Sequence, residues 1–152
     1  MKNIKLFSIA LFCLVGGISM ISCTKDDPAN DNSATNVQNT VQSGTWHITS
    51  FIDSGDDETN HFNGYAFTFG NNDVLTSSNG SNSFTGSWNI SDSNSNDDSI
   101  NDLHFNINFN LTNDFESLNE DWNIVSRSST RIELIHVSGG NGGTDYLTFE
   151  KS

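Results

Sequence analysis

The chain has 152 residues, and its six Lys and Arg against 19 Asp and Glu give a net charge of −13 at pH 7. Proteins that bind nucleic acids need a basic surface, so this composition excludes that class of partner. The two cysteines, Cys13 and Cys23, lie near the amino terminus, which excludes disulfides and zinc–thiolate sites from the remainder of the chain.

Residues 1–22 are predicted to form a secretory signal peptide. Lys2 and Lys5 make a basic start, residues 6–21 are a mainly apolar run, and Ser22 is a small residue at the expected cleavage position. The alternative is a membrane-spanning helix. Such a helix needs about 20 apolar residues, and two glycines and two serines interrupt this shorter run. The pattern therefore favours a cleaved signal.

Residues 20–23, with the sequence MISC, resemble the lipobox of bacterial lipoproteins. In that family the cysteine thiol is acylated, the chain is cut before the cysteine, and the new amino terminus is acylated too. The resemblance implies lipid attachment at Cys23. Each buried lipid CH₂ group contributes about 0.8 kcal/mol, and two or more chains anchor a protein stably. Cys23 is therefore expected to hold the protein on a membrane.

The residues after Cys23 indicate where that membrane lies. Residues 24–27 (TKDD) resemble the surface-export signal of Bacteroidetes lipoproteins, which sends them to the outer face of the outer membrane. This resemblance implies a protein exposed on the cell surface; a plain solvated tether is the alternative. Residues 26–43 are polar and contain the only proline, so residues 23–43 are predicted to be a lipidated flexible tether.

Residues 44–152 are predicted to form one all-β domain. Residues 103–111 alternate strictly between apolar and polar side chains, which gives a strand one apolar and one polar face. Seven more short strands follow from the same pattern, near residues 46–52, 65–69, 74–77, 84–90, 122–124, 132–137 and 147–149. A single helical turn is expected within residues 112–119, with Phe115 and Leu118 pointing inward.

Eight short strands in series favour a small antiparallel eight-stranded up-and-down barrel, since closure removes exposed strand edges. A β-sandwich is the alternative architecture. Residues 44–46 (GTW) open the first strand and resemble the Gly-x-Trp motif of lipocalins. The resemblance implies that Trp46 lies at the closed end of the barrel under a basic residue, for which Lys151 and Arg131 are the candidates. Lipocalin-like lipoproteins of Bacteroidetes are the family that the chain resembles most.

The predicted function is that of a lipid-anchored surface protein which holds a small apolar ligand inside the barrel. The residues expected to line the interior and contact that ligand are Trp46, Phe67, Phe69, Trp88, Phe105, Phe109 and Trp122. An eight-stranded barrel is just wide enough to hold one small ligand or to be filled by its own side chains. In the alternative interpretation the barrel is packed, and its loops bind a protein or a glycan.

Two acidic loops are expected at one end of the barrel, because alternate loops of an up-and-down barrel share an end. Their carboxylates belong to Asp53, Asp56, Asp57, Glu58, Asp114, Glu116, Glu120 and Asp121. Calcium binds about six to eight oxygens, so calcium stabilisation is a further hypothesis, although we assign no metal site and no cofactor. We expect no enzymatic activity, since the four histidines lack metal-ligand spacing and no Gly-x-Ser-x-Gly motif occurs.

Overall fold

The computed structural model describes residues 33–93, 100–140 and 142–152. The predicted signal peptide, Cys23 and the first part of the predicted tether lie outside these residues. Within the described part of the chain, no helix has both the length and the apolar character that crossing a membrane requires.

The described residues form one helix, nine strands and three short 3₁₀ helices. The α-helix is α1 (Ala34–Gln42), and the 3₁₀ helices are η1 (Thr59–Phe62), η2 (Ile100–Asp102) and η3 (Asp114–Leu118). The strands are β1 (Trp46–Asp53), β2 (Asp56–Asp57), β3 (Ala66–Phe69), β4 (Val74–Ser78), β5 (Ser83–Asp92), β6 (Leu103–Asn108), β7 (Asp121–Arg127), β8 (Arg131–Val137) and β9 (Thr144–Lys151).

Eight of these strands close into an antiparallel barrel. From β3 to β9 each strand pairs with the next along the chain, and β1 pairs with both β3 and β9. The β1–β9 pairing is the longer one and runs from the Trp46–Lys151 pair to the Ile52–Tyr146 pair. The predicted eight-stranded up-and-down barrel is therefore confirmed, and the alternative of two packed sheets is not found. Strand β2 adds a short hairpin at the end of β1.

A β-bulge explains why Phe51 breaks the alternation of the first strand. The pairing of β1 with β9 shifts register between Ile48 and Ser50. A bulge inserts one extra residue and turns the following side chains to the other face. Ile48 and Phe51 are consequently both buried in the core, although Phe51 lies three positions after Ile48 and regular alternation would place the two on opposite faces.

Residues 34–42 form α1, so the prediction of a flexible tether is wrong for this segment. The Ser33 hydroxyl caps the helix by accepting a hydrogen bond from the Asn36 N–H. Val37 and Val41, one helical turn apart, are both fully buried against the barrel core. The folded domain therefore begins near Ser33 rather than at Gly44, because these two valines cover an end of the barrel that would otherwise expose its apolar interior.

The opposite end of the barrel is covered by η1 and η3. Phe62 of η1 packs edge-to-face on Phe115 of η3, with ring centroids 5.4 Å apart. Phe115 and Leu118 are buried, which confirms the predicted helical turn with these two side chains inward. Both ends of the barrel are thus covered by segments outside its strands.

Candidate functional site

The seven residues predicted to contact a ligand all lie in the barrel interior. Their exposed fractions are 0–1%, for Trp46, Phe67, Phe69, Trp88, Phe105, Phe109 and Trp122. A side chain that borders a cavity wide enough for a ligand has surface exposed to that cavity. Because these side chains have almost none, they fill the interior rather than line a cavity. Within the part of the chain that the structure describes, no space for a ligand is left beside them, and their role as ligand contacts stays a prediction.

The interior rings hold one another in edge-to-face contacts. Phe69 is the clearest case, with ring centroids 5.2 Å from Trp88, 5.3 Å from Phe105 and 5.5 Å from Phe149. This distance and orientation are those that aromatic quadrupoles favour. Gly86 contributes by having no side chain, because a Cβ atom there would lie 2.8 Å from the Phe109 ring. The packing is therefore specific as well as dense.

The polar atoms of the three tryptophans are used within the protein. The Trp46 indole N–H donates to the Val41 carbonyl at 2.7 Å, and the Trp88 indole N–H donates to the Gly70 carbonyl at 3.0 Å. Trp122 donates to the Leu118 carbonyl at 3.2 Å. Buried indole N–H groups need such partners. None of the three is left to orient a ligand.

Lys151 forms the contact that the lipocalin resemblance implies. Its ammonium lies 4.7 Å from the centre of the Trp46 ring and donates to the Ser43 hydroxyl at 3.0 Å. Burial lowers the pKa of Lys151. Arg131, the other candidate, pairs with Glu133 and Glu150 instead. The end of the barrel that α1 covers therefore combines Trp46, Lys151 and α1.

The acidic loops do meet at one end of the barrel. His61 of η1 lies 3.8 Å from a Glu58 carboxylate oxygen and 4.0 Å from one of Asp114. Asp57 accepts hydrogen bonds from Thr59, which lower its pKa. Among residues 33–93, 100–140 and 142–152, however, no three or more His, Cys, Asp or Glu side chains are arranged to hold a metal ion. The geometry therefore gives the calcium hypothesis no site in this part of the chain.

A second set of polar contacts joins the ends of four strands at that end of the barrel. His136 lies 3.4 Å from a Glu120 carboxylate oxygen and 3.3 Å from one of Asp145. Asp145 is buried, and its other oxygen accepts the Ser54 N–H at 2.7 Å. Asp145 was not predicted from the sequence, because nothing in the pattern of β9 distinguishes a buried carboxylate from an exposed one. These contacts fix the ends of β1, β7, β8 and β9 together.

Residues that the structure describes line two open grooves on the protein surface. A polar groove of about 420 Å³ lies beside η1 and is lined by Asp57, Thr59, Asn60 and Asn63. A mainly apolar groove of about 280 Å³ lies across β7, β8 and β9, and we call it the β7–β9 groove. Its lining residues are Val125, Glu133, Leu134, Ile135, Tyr146 and Thr148.

The β7–β9 groove was not predicted from the sequence. Val125 follows the inward-facing Ile124, at a point where β7 shifts register against β8 between Ile124 and Ser126. Tyr146 pairs with Ile135 of β8 on one side and with Ile52 of β1 on the other. The outward apolar side chains come from the three successive strands β7, β8 and β9, and only the register between these strands reveals that the side chains are neighbours.

Comparisons with known proteins give one similar structure. No family profile matches the chain, and no curated protein does so. A crystal structure described as that of a DUF4847 family protein from Bacteroides vulgatus ATCC 8482 is similar, with 19% sequence identity. The similarity covers 76% of this chain and 97% of that chain, with a TM-score of 0.49.

Proposed function

We propose that this protein is a lipid-anchored module on the cell surface that binds its partner on the outside of a packed barrel. The observation that supports the proposal is the filled interior, where the seven aromatic side chains expected to contact a ligand have exposed fractions of 0–1%. An interior with no space and no free indole donors is poorly suited to carrying a small molecule. Binding is therefore assigned to the outer surface.

Opening the barrel for a ligand would be costly. Each displaced aromatic side chain covers roughly 150–250 Å², which at about 25 cal/mol/Å² corresponds to about 4–6 kcal/mol. Displacing even two of them would consume a large share of the roughly 5–15 kcal/mol by which a domain is stable. A ligand would have to replace those contacts completely, so we favour a surface partner over an internal one.

Lipid attachment at Cys23 is the second part of the proposal. The lipobox-like residues 20–23 and the acidic residues that follow support it. Residues 24–32 would connect the anchor to the folded domain, and nine residues span at most about 30 Å. We therefore place the barrel close to the outer membrane, where its walls remain open to partners.

Native mass spectrometry of the protein purified from its own host tests both parts. We expect the mass of a chain that begins at acylated Cys23, with no other retained molecule. A retained apolar molecule of a few hundred daltons would instead support the internal carrier and contradict the packed barrel. The Cys23→Ala variant is the control for the anchor, and we expect it to lose the acyl mass and to leave the membrane fraction.

Surface display is tested by treating intact cells with a protease. We expect the wild-type protein to be degraded while a periplasmic marker survives. Protection of the protein in intact cells, with digestion only after lysis, would place the barrel on the inner side of the outer membrane and contradict surface exposure.

A further inference from the structure

We propose that the β7–β9 groove is the docking site for a segment of a partner protein that combines apolar and basic side chains. This inference rests on the proposed function, because it assigns one part of the outer surface to the partner. It is carried by three observations: the concentration of exposed apolar side chains, the polar character of a neighbouring wall, and the distribution of charge.

Exposed apolar side chains are concentrated on the three strands that form the groove. Among the described residues, four large apolar side chains are exposed, and three of them lie on β7, β8 and β9: Val125, Val137 and Tyr146. Val125 is 53% exposed and Tyr146 is 49% exposed. The strand register extends the surface on both sides of Tyr146, to Ile135 and Ile52. A contiguous apolar surface with a polar rim is typical of a protein-interaction site.

The wall formed by β5 and β6 has a different character. There Asn106 donates hydrogen bonds to the Asn89 side-chain oxygen at 2.8 Å and to the Ser91 hydroxyl at 3.1 Å. These outward side chains form hydrogen bonds with one another and, as polar groups, are stable in contact with water. The apolar composition of the β7–β9 groove is therefore a local feature and not a general property of the barrel surface.

The described cations are all engaged within the protein. Residues 33–93, 100–140 and 142–152 contain 14 Asp and Glu against three Lys and Arg. Lys151 contacts Trp46, Arg131 pairs with Glu133 and Glu150, and Arg127 donates to the Thr40 hydroxyl at 3.5 Å. The surface that a partner meets is consequently strongly acidic.

The negative charge of the surface indicates which kind of partner the groove can bind. A second copy of the chain would bring another strongly acidic surface, and residues 24–32 contain three aspartates and no large apolar side chain. Like charges repel in both cases, as they would with an anionic lipid surface. A partner segment with basic side chains is attracted instead.

The rim of the groove carries a local negative charge as well. Glu133 lines the groove, and Glu133 and Glu150 share the single guanidinium of Arg131. Two carboxylates against one cation leave a net negative charge beside Val125 and Tyr146. Apolar side chains of the partner would fill the groove while its Lys or Arg side chains reach this rim.

The probe for a first test is a ten-residue peptide that alternates valine and lysine. The protein is purified from its own host and held in nanodiscs of neutral lipid, and peptide binding is measured by fluorescence anisotropy. Two matched peptides have glutamate in place of lysine or serine in place of valine. We expect the valine–lysine peptide to bind at least about tenfold more tightly than either, with affinity falling as salt is raised.

Variants locate the binding surface. We expect Tyr146→Thr and Val125→Thr to weaken binding of the valine–lysine peptide by about tenfold, as loss of a central contact does. Val74→Thr is the matched control, because Val74 is the exposed apolar residue that lies outside β7–β9. Equal binding by all variants, or equal binding of the three peptides, would overturn the proposal.

Two further outcomes are distinguishable. A dimer seen by light scattering that Tyr146→Thr abolishes would identify a second copy as the occupant and overturn the basic partner. Native mass spectrometry of the same preparation distinguishes failure of the proposed packed-barrel function from failure of the proposed docking site. An apolar molecule retained inside the barrel contradicts the packed-barrel function, whereas an empty barrel with no groove-dependent peptide binding contradicts the docking site alone.

Discussion

Ser77 illustrates the tight packing of the interior at the level of a single residue. Its side chain lies on the same face of β4 as Leu75, and both residues are fully buried. Among the described residues, the Ser77 hydroxyl has no hydrogen-bond partner. An unpaired buried hydroxyl costs about 1–3 kcal/mol. The register partners of Ser77 on the two neighbouring strands are Phe67 and Phe84, so a small side chain lies between two aromatic residues in the sheet.

Replacing Ser77 with alanine is therefore expected to leave the protein as stable or to stabilise it by about 1 kcal/mol, since it removes an unpaired polar group. Thr59→Val is the contrasting variant, because the Thr59 hydroxyl accepts the Phe51 N–H at 2.8 Å. We expect that variant to lose about 1–3 kcal/mol. Urea unfolding measures both, and a clear destabilisation by Ser77→Ala would contradict this account of the hydroxyl.

Glu133 gives a prediction for the dependence of stability on pH. Hydrogen bonds from Ser126 and Arg131 hold the pKa of Glu133 below its ordinary value of 4.5. A carboxylate with a lowered pKa in the folded state contributes stability above its unfolded-state pKa, and loses it as the pH falls through the folded-state pKa. Glu133→Gln should therefore be less stable than wild type at pH 7, by under about 1 kcal/mol for an exposed pair.

The difference between wild type and Glu133→Gln should disappear as the pH falls below the folded-state pKa of Glu133. Denaturant unfolding of both proteins at several pH values from 7 downward measures this difference in the free energy of unfolding. Glu116→Gln, on η3, makes the same change of charge away from β8 and is the control. A difference that stays constant down to acid pH would show that the carboxylate charge is not its cause.

Helix α1 is the element that the sequence pattern did not predict. It has only two core side chains in nine residues, and polar residues surround them. This sparse spacing does not distinguish a capped helix on a barrel end from a solvated tether. The strands, in contrast, repeat their apolar side chains at every second position, which is why the barrel could be predicted.

The contribution of α1 to stability can be measured with alanine variants. Val41→Ala leaves a cavity in the core and should lower the free energy of unfolding by about 2 kcal/mol. The exposed Asn39 on the same helix is the control, and Asn39→Ala should change stability by under about 0.5 kcal/mol. If α1 were a tether in solution, the two variants would be equally stable, and urea unfolding decides between these outcomes.

At the scale of the whole molecule, the strand pattern predicts that the sheet closes into a barrel, but not whether side chains fill the interior of that barrel. Alternation shows that Trp88 and Phe105 point inward, yet whether such side chains fill the interior depends on contacts between strands distant in sequence. The β7–β9 groove was missed for a related reason. Val125 and Tyr146 become neighbours only through the register of β7, β8 and β9, and the bulge in β7 is not encoded in the apolar pattern.

Among the described residues, the interior side chains pack the barrel and leave no room for a ligand. A crystal structure under xenon pressure tests this packing, because xenon occupies apolar cavities inside proteins. We predict no xenon within the ring cluster around Phe69, Trp88 and Phe105. A well-occupied xenon atom among these rings would reveal an internal cavity and would contradict the packed barrel.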